Sequence, residues 1–84
     1  MYFVYILQSL STGRYYIGHC DHLLHRFYQH QSGHNHSTTN HGPWCVPHFE
    51  IYASRSEAMR RERKLKSQKS AEFLRRLIAR NSES

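Results

Sequence analysis

The stretch YFVYILQSLSTGRYYIG, residues 2–18, decides the fold of this chain. It begins with a run of aromatic and β-branched residues, Tyr2 to Leu7, and ends with a second such run, Arg14 to Gly18, and neither run has helical periodicity. The segment between the runs contains turn-forming residue types: Ser9, Ser11, Thr12 and Gly13. We therefore expect a β-hairpin that carries Tyr5 and Tyr16 on neighbouring strands.

Length and charge limit what the chain can be. Its 84 residues are enough for one small domain, which we place at residues 1–80, followed by a polar tail at residues 81–84. Twelve Lys and Arg against six Asp and Glu give a formal net charge of +6, and only Arg14 and Arg26 among these cations precede Gly42. This excess favours a polyanionic partner such as nucleic acid, and a solvated basic surface is the alternative interpretation.

The cysteines and the N-terminal composition indicate a cellular location. Cys20 and Cys45 are too few for a disulfide scaffold, and we see neither a signal peptide nor a long apolar segment before the first strand. The sequence therefore predicts a cytoplasmic protein with free thiols and no membrane association.

Eight histidines raise the alternative of a zinc-binding interaction domain. The segments that suggest it are His19-Cys20-Asp21-His22 and the later residues His34, His36 and His41. Structural zinc sites usually draw four ligands from paired clusters, and no second C-x-x-C or H-x-x-x-H unit is present in the sequence. We therefore rank zinc binding below nucleic-acid binding.

A helix is expected after the hairpin, with Asp21 as its N-cap, Gln31 near its end and Gly33 as a stop signal. Two pairs of apolar residues, each four positions apart, predict its apolar face. Three basic residues, also four positions apart, predict a neighbouring cationic face. The pairs are Leu23 with Phe27 and Leu24 with Tyr28, and the cationic face is His22, Arg26 and His30.

The second half of the chain predicts one strand and two helices. The polar segment Ser32 to Pro43 is expected to be a mobile loop, followed by a strand from Trp44 to Tyr52 in which Pro47 indicates an edge position. Ser54 and Glu57 form a capping box for a helix that ends near Ser67, and Ser70 caps a last helix with an apolar stripe at Phe73, Leu74, Leu77 and Ile78. The expected fold class is α+β, a small three-stranded antiparallel sheet flanked by helices in the order ββαβαα.

Glu62 is the most unusual charged residue in the chain. Helical spacing places it between Ala58, one turn before, and Leu65, three residues after, so the acid faces the body of the protein. A buried carboxylate needs a cation, a metal ion or a strong hydrogen-bond donor. The alternative is an ordinary ion pair with Lys66, four residues later, at the rim of the helix.

Taken in order, these residues resemble the GIY-YIG endonuclease family. The triplets Val4-Tyr5-Ile6 and Tyr16-Ile17-Gly18 correspond to the two that name the family, with Val4 in place of Gly. Similarity extends from about Tyr2 to Lys69 and includes five residues that match functional positions of the family: Tyr5, Tyr16, Arg26, His30 and Glu62. Further matching segments are Gly42-Pro43-Trp44, Ser56-Glu57-Ala58, Arg61-Glu62 and Leu65-Lys66.

The resemblance implies a role for each of the five residues. Glu62 would hold one divalent cation, Mg²⁺ or Mn²⁺, and Arg26 would bind non-bridging phosphate oxygens. Tyr5 and Tyr16 would position the water and the phosphate, with Tyr5 the better candidate to accept the proton, and His30 would relay a proton or hold a tyrosine hydroxyl.

The implied function is a metal-dependent endonuclease that hydrolyses DNA phosphodiester bonds, with a role in repair or recombination. Expected nucleic-acid contacts come from the basic C-terminal half and from the residue after the second triplet: His19, Arg60, Arg61, Lys64, Lys66 and Lys69. The related excision-repair subunit has a lysine at the position of His19. The alternative is a nucleic-acid-binding module that does not cleave, or that cleaves only with a protein partner that supplies specificity.

Overall fold

Three strands and three helices follow one another in the order ββαβαα, as the sequence predicts. The computed structural model describes residues 1–32, 42–68 and 71–82. The strands are β1 (Tyr2–Ser9), β2 (Tyr15–Cys20) and β3 (Trp44–Tyr52), and the helices are α1 (Leu23–Gln31), α2 (Arg55–Lys66) and α3 (Ala71–Ser82). Helix α3 therefore continues for two residues into the segment that we assigned to a polar tail.

The sheet is antiparallel with the strand order β2-β1-β3, and its hairpin is the one predicted from residues 2–18. The turn closes through a hydrogen bond from the Gly13 amide to the Ser9 carbonyl, 2.9 Å, and Gly13 has the positive φ of 78° that this residue type tolerates. Tyr5 pairs with Gly18, and Leu7 pairs with Tyr16. The two tyrosines therefore lie on the same face of the sheet.

The central strand β1 is buried on both faces, which divides the core in two. Val4 and Ile6 pack with Ala58 and Leu65 of α2 and with Leu74 of α3. On the opposite face, a second group of side chains packs against α1: Tyr5, Leu7, Cys20 and Trp44. Each aliphatic side chain buried in this way contributes about 1.5–3 kcal/mol. Helix α1 thus covers one face of the sheet, and α2 and α3 cover the other.

Pro47 lies on an edge strand, as predicted, because β3 has β1 as its only neighbour in the sheet of described residues. The β1–β3 pairing is interrupted at this point, since Ile6 pairs with His48 whereas Gln8 pairs with Cys45. The irregularity accommodates a residue that has no backbone N–H to donate.

The start of α1 differs from the prediction. His22, not Asp21, is the N-cap, and its side chain makes no capping hydrogen bond. The Asp21 carboxylate instead lies 3.2 Å from Nδ1 of His22. An N-cap aspartate would accept hydrogen bonds from backbone amides of the first helical turn. The partner of Asp21 is instead the side chain of His22, the next residue in the sequence.

The faces of α1 also differ from the prediction. Leu23 and Phe27 pack against the sheet as expected, but Leu24 and Tyr28 are 85% and 63% exposed. The third residue of the packed row is His30, which is 1% exposed and does not present a cation to solvent. Leu23, Phe27 and His30 are spaced i, i+4, i+7, which is the narrow stripe that a short helix can bury against a flat sheet.

The capping box of α2 is confirmed, because the Ser54 hydroxyl accepts a hydrogen bond from the Glu57 amide at 3.3 Å. The helix ends at Lys66 with Ser67 as its C-cap. Three sequence predictions lie outside the described residues: the stop at Gly33, most of the loop Ser32 to Pro43, and the cap at Ser70. None of the helices among the described residues is long and apolar enough to span a membrane.

Candidate active site

Tyr5, Tyr16 and His30 form a contact group, here called the tyrosine cluster, between the sheet and α1. The Tyr5 hydroxyl lies 3.0 Å from Nε2 of His30, and the two rings meet edge to face with centroids 5.8 Å apart. The Tyr16 ring approaches the same imidazole, with centroids 5.1 Å apart. Packing of α1 through Leu23 and Phe27 carries His30 to this position, so the helix and the hairpin build the cluster together.

Gly18 makes room for the Tyr5 hydroxyl. A Cβ atom at Gly18 would lie 2.5 Å from the Tyr5 hydroxyl oxygen and 2.7 Å from Cζ. Glycine is therefore required by close approach at this strand position. The sequence contained this signal, because a glycine inside a strand that is otherwise rich in aromatic and β-branched residues is typical of such an approach.

Burial sets the protonation states in the tyrosine cluster. It raises the pKa of Tyr5 well above the usual range, and the nearby Tyr16 raises it further, whereas the Arg26 guanidinium opposes the shift. Burial, followed by the charge of Arg26, lowers the pKa of His30. At neutral pH a protonated phenol therefore faces a neutral imidazole, and one hydrogen bond joins the Tyr5 hydroxyl and Nε2 of His30.

Arg26 is the cation next to the tyrosine cluster. It lies one helical turn before His30 on α1, is partly buried, and its charge acts on Tyr5, His30 and Cys20. Within residues 1–32, 42–68 and 71–82, no carboxylate forms an ion pair with it. A partly buried guanidinium in this setting can bind an external anion in a bidentate manner.

Glu62 faces the sheet from α2, as its position between Ala58 and Leu65 predicted, and its side chain is 15% exposed. One carboxylate oxygen contacts Nδ1 of His19, and the other lies 2.8 Å from Nζ of Lys66. Burial raises the pKa of Glu62, but the hydrogen bonds from Lys66 and His19 outweigh burial and lower it. The carboxylate is therefore ionised at neutral pH.

Both interpretations of Glu62 thus apply at once. The ion pair with Lys66 that we considered as an alternative is present, and the carboxylate is also turned towards the protein interior. The contact with His19 was missed, because the two residues are 43 positions apart in the sequence.

The tyrosine cluster and Glu62 meet at the edge strand β2. Gly18 and His19 are consecutive on this strand, so they face opposite sides of the sheet: Gly18 faces Tyr5, and His19 faces Glu62. The charge of Glu62 is near enough to contribute to the raised pKa of Tyr5. The predicted residues therefore form two groups, one in direct contact around His30 and one around Glu62. The two groups interact electrostatically.

The expected nucleic-acid contacts occupy different surfaces. Arg61 donates hydrogen bonds to both oxygens of Glu50, at 2.8 and 3.0 Å, so its guanidinium is engaged within the fold. Arg60 and Lys64 are exposed and lie two residues before and after Glu62, which places them on the far side of α2. Lys69 lies outside the described residues.

A basic groove between α2 and α3 was not predicted from the sequence. Its lining includes cations from both helices and large apolar side chains of α3: Arg61, Lys64, Arg76, Arg80, Phe73 and Leu77. The cations of α3 follow the same helical spacing as its apolar stripe, so the sequence signal was available in Arg76 and Arg80.

Metal-binding groups are sparse in the described part of the chain. Residues 1–32, 42–68 and 71–82 contain no group of three or more His, Cys, Asp or Glu side chains that could hold a metal ion. Cys20 and Cys45 are free thiols, and the loop histidines of the zinc interpretation fall outside these ranges. The ionised carboxylate of Glu62 can supply one oxygen ligand to a divalent cation that keeps several water ligands.

Two comparisons with known proteins return matches to this chain. The GIY-YIG catalytic domain family matches residues 1–76. A solution NMR structure of a UPF0213 protein from Bacillus halodurans is similar, with 30% sequence identity, a TM-score of 0.58 and coverage of 94% of this chain and 84% of that chain. A search of curated proteins gives no significant match.

Proposed function

Because this chain belongs to the GIY-YIG family, we propose that it is a metal-dependent endonuclease that hydrolyses phosphodiester bonds in DNA, in repair or recombination. The observation that carries the proposal is the hydrogen bond between Tyr5 and His30, with Tyr16 and the cation Arg26 beside it. A fold needs no buried phenol and imidazole pair for packing alone, whereas hydrolysis needs groups that orient water and bind phosphate.

Arg26 binds the scissile phosphate in this proposal. A guanidinium is permanently charged, and its planar donors match two phosphate oxygens. Its partial burial strengthens the attraction compared with an exposed cation. Tyr16, which is also partly buried, places its hydroxyl against the same phosphate or the attacking water.

Tyr5 and His30 handle the proton of the attacking water. The raised pKa of Tyr5 excludes a standing phenolate as the base. The Tyr5 oxygen instead accepts the proton of the water while its own proton passes to Nε2 of His30, the atom 3.0 Å away. The oxygen of the water then bonds to phosphorus as the bond to the leaving oxygen breaks, and the leaving oxygen takes a proton from solvent.

Glu62 holds one divalent ion, Mg²⁺ or Mn²⁺, in this proposal. When bound, the ion supplies charge neutralisation at the phosphoryl group and stabilises the leaving oxygen. The low exposure and lowered pKa of Glu62 support its role, since they keep an ionised carboxylate at the sheet edge.

Cations of the C-terminal half supply affinity for the DNA backbone. The proposed contacts are Arg60, Lys64, Lys66 and Lys69, together with His19 after the second triplet. Arg61 is left out because Glu50 holds its guanidinium within the fold. Contacts of this type are insensitive to sequence, so we expect low intrinsic specificity. We also place the protein in the cytoplasm, which its two free thiols support.

The second candidate function is a nucleic-acid-binding module that cleaves only when a protein partner rearranges it. The observation that favours it is that neither the tyrosine cluster nor Glu62 is open to a substrate. Tyr5 is 2% exposed, and both Glu62 oxygens are engaged by His19 and Lys66. A partner that opens the β2 edge would then be required for activity.

A cleavage assay tests the proposal. Duplex, single-stranded and branched DNA are incubated with Mg²⁺ or Mn²⁺ and with wild type, Arg26→Ala or Glu62→Ala. The control is Arg75→Ala, which removes an exposed arginine of α3 that does not line the groove between α2 and α3. We expect cleavage by wild type and the control and loss of cleavage in the two site variants. Equal cleavage by all four proteins would contradict the site, and tight binding by wild type without cleavage would favour the binding module.

A further inference from the structure

We propose that His19 is a second protein ligand of the metal ion at Glu62, and that the site therefore prefers transition-metal ions such as Co²⁺ and Zn²⁺ to Mg²⁺. This inference rests on the proposed function in so far as Glu62 holds the ion. It assigns His19 a ligand role that its position after the second triplet did not suggest.

The fold fixes His19 and Glu62 against each other. His19 pairs with Val4 across the hairpin, and Val4 belongs to the core face that α2 covers. Ala58 and Leu65, both fully buried, seat α2 on that face and hold Glu62 over β2. The result is a direct contact between Nδ1 of His19 and Oε2 of Glu62, with the two side chains 23% and 15% exposed.

Lys66 orients the carboxylate for this purpose. Its ammonium group lies 2.8 Å from Oε1 of Glu62, so the two oxygens have different partners: lysine on one and imidazole on the other. A cation bound at Oε2 would leave the lysine contact in place. The donor set that it would meet is one carboxylate oxygen and one imidazole nitrogen.

This mixed donor set is selective. Mg²⁺ takes oxygen ligands and gives up its water reluctantly, so an adjacent nitrogen adds little to its affinity. Co²⁺, Ni²⁺ and Zn²⁺ accept imidazole readily and gain affinity from each nitrogen ligand. Since imidazole has two ring nitrogens, ligation through Nδ1 is compatible with a phosphate contact through Nε2.

The chain contains its own control for this arrangement. Nδ1 of His22 lies 3.2 Å from a carboxylate oxygen of Asp21, which repeats the chemistry of the pair at Glu62. These side chains are 79% and 53% exposed and are neighbours in the sequence, so no second element holds them together. His22→Gln therefore removes an equivalent pair without touching α2.

The experiment combines two measurements on the protein without DNA. Long-range ¹H–¹⁵N spectra of the histidine rings are recorded during titration with Zn²⁺, and calorimetry gives the affinities for Co²⁺ and Mg²⁺. We expect Nδ1 of His19 to show the shift of a metal-bound nitrogen. His19→Gln should weaken Co²⁺ binding about tenfold or more and change Mg²⁺ binding less than about twofold, and His22→Gln should change neither.

Two results would overturn the inference: Zn²⁺ that leaves the His19 ring signals unchanged, or a His19→Gln variant that keeps its Co²⁺ affinity. Glu62→Gln separates this failure from that of the proposed function. If His19→Gln has no effect but Glu62→Gln abolishes binding of both metals, the carboxylate site stands without the histidine. If Glu62→Gln retains both affinities, the metal site of the proposed function is wrong as well.

Discussion

Tyr5 lies buried on the central strand β1, where phenylalanine would fill nearly the same space. Its hydroxyl is buried with one hydrogen-bond partner, His30, which is itself 1% exposed. Burying two polar groups stabilises a fold little more than apolar packing of equal volume, because both lose their hydration. The pair is therefore better explained by chemistry than by stability.

The first prediction concerns this hydroxyl. Tyr5→Phe should reduce the single-turnover cleavage rate by about 100-fold or more, because the proton of the attacking water then has no path to His30. Stability should fall by only about 1 kcal/mol in urea unfolding. The matched control is Tyr15→Phe, a partly buried tyrosine that packs on the opposite face of the sheet. Equal loss of rate in both variants would contradict the assignment.

The second prediction concerns the space at Gly18. Gly18→Ala places a methyl group 2.5 Å from the Tyr5 hydroxyl oxygen, so either the phenol or the strand pairing must shift. We expect a loss of about 1–3 kcal/mol in thermal unfolding, together with loss of cleavage. Adding Tyr5→Phe removes the nearest clashing atom, so the double variant should be more stable than the sum of the single changes predicts. Strict additivity would show that the two positions do not interact.

At the scale of elements, α2 is fastened to both edges of the sheet by consecutive residues. Arg61 holds Glu50 on β3, and Glu62 contacts His19 on β2. The Glu50 carboxylate also accepts hydrogen bonds from Tyr52 at 2.6 Å and His48 at 2.9 Å. This network fixes the rotation of α2, and with it the direction in which Glu62 points.

The Glu50 network predicts an acid-sensitive contribution to stability. Burial raises the pKa of Glu50, but the hydrogen bonds from Arg61, Tyr52 and His48 outweigh burial and lower the pKa from 4.5 to about 2. A carboxyl group whose pKa is lower in the folded state than in the unfolded state stabilises the fold. This stabilisation is complete at pH values above the unfolded-state pKa, near 4.5. That stabilisation, roughly 3 kcal/mol, is lost as the pH falls towards 2.

Urea unfolding between pH 7 and pH 2 measures this contribution. Glu50→Gln should lower stability at pH 7 and flatten the decline between pH 4.5 and pH 2. Glu72→Gln is the control, because Glu72 pairs with Arg76 on an exposed surface of α3. An unchanged acid slope in Glu50→Gln would exclude the network as its source.

Local signals in the sequence predicted the elements well, and long-range packing accounts for what they missed. The hairpin turn at Gly13 and the cap at Ser54 depend on neighbouring residues, which a sequence displays directly. The buried row of α1 depends on the sheet beneath it, so Leu24 was wrongly expected to pack. The Tyr5 and His30 contact joins residues 25 positions apart, and the family resemblance implied that His30 holds a tyrosine hydroxyl without saying which tyrosine.

For the molecule as a whole, the charge distribution predicts how DNA binding responds to salt. Lys64→Gln should weaken binding of duplex DNA of any sequence and reduce the slope of log affinity against log salt by about 0.9, the value of one phosphate contact. The cleavage rate at saturating DNA should be unchanged, because Lys64 lies on the far side of α2 from Glu62.

Arg55→Gln is the control for this measurement. It removes the same charge from the same helix, but the Arg55 guanidinium is occupied by the Tyr2 ring, whose centroid lies 4.9 Å away. Fluorescence anisotropy at several salt concentrations gives both slopes. Identical slopes for the two variants would mean that net charge, not a specific contact of Lys64, sets the affinity.

The central claim is that two groups of residues on either side of β2 form one hydrolytic site. The most direct test is the single-turnover cleavage rate of Glu62→Gln at saturating DNA, with binding measured in parallel. Glutamine keeps the shape of the side chain but removes the charge that would hold the cation. We predict unchanged DNA binding and a rate reduced by about a thousandfold or more. A variant that cleaves as fast as wild type would contradict the claim.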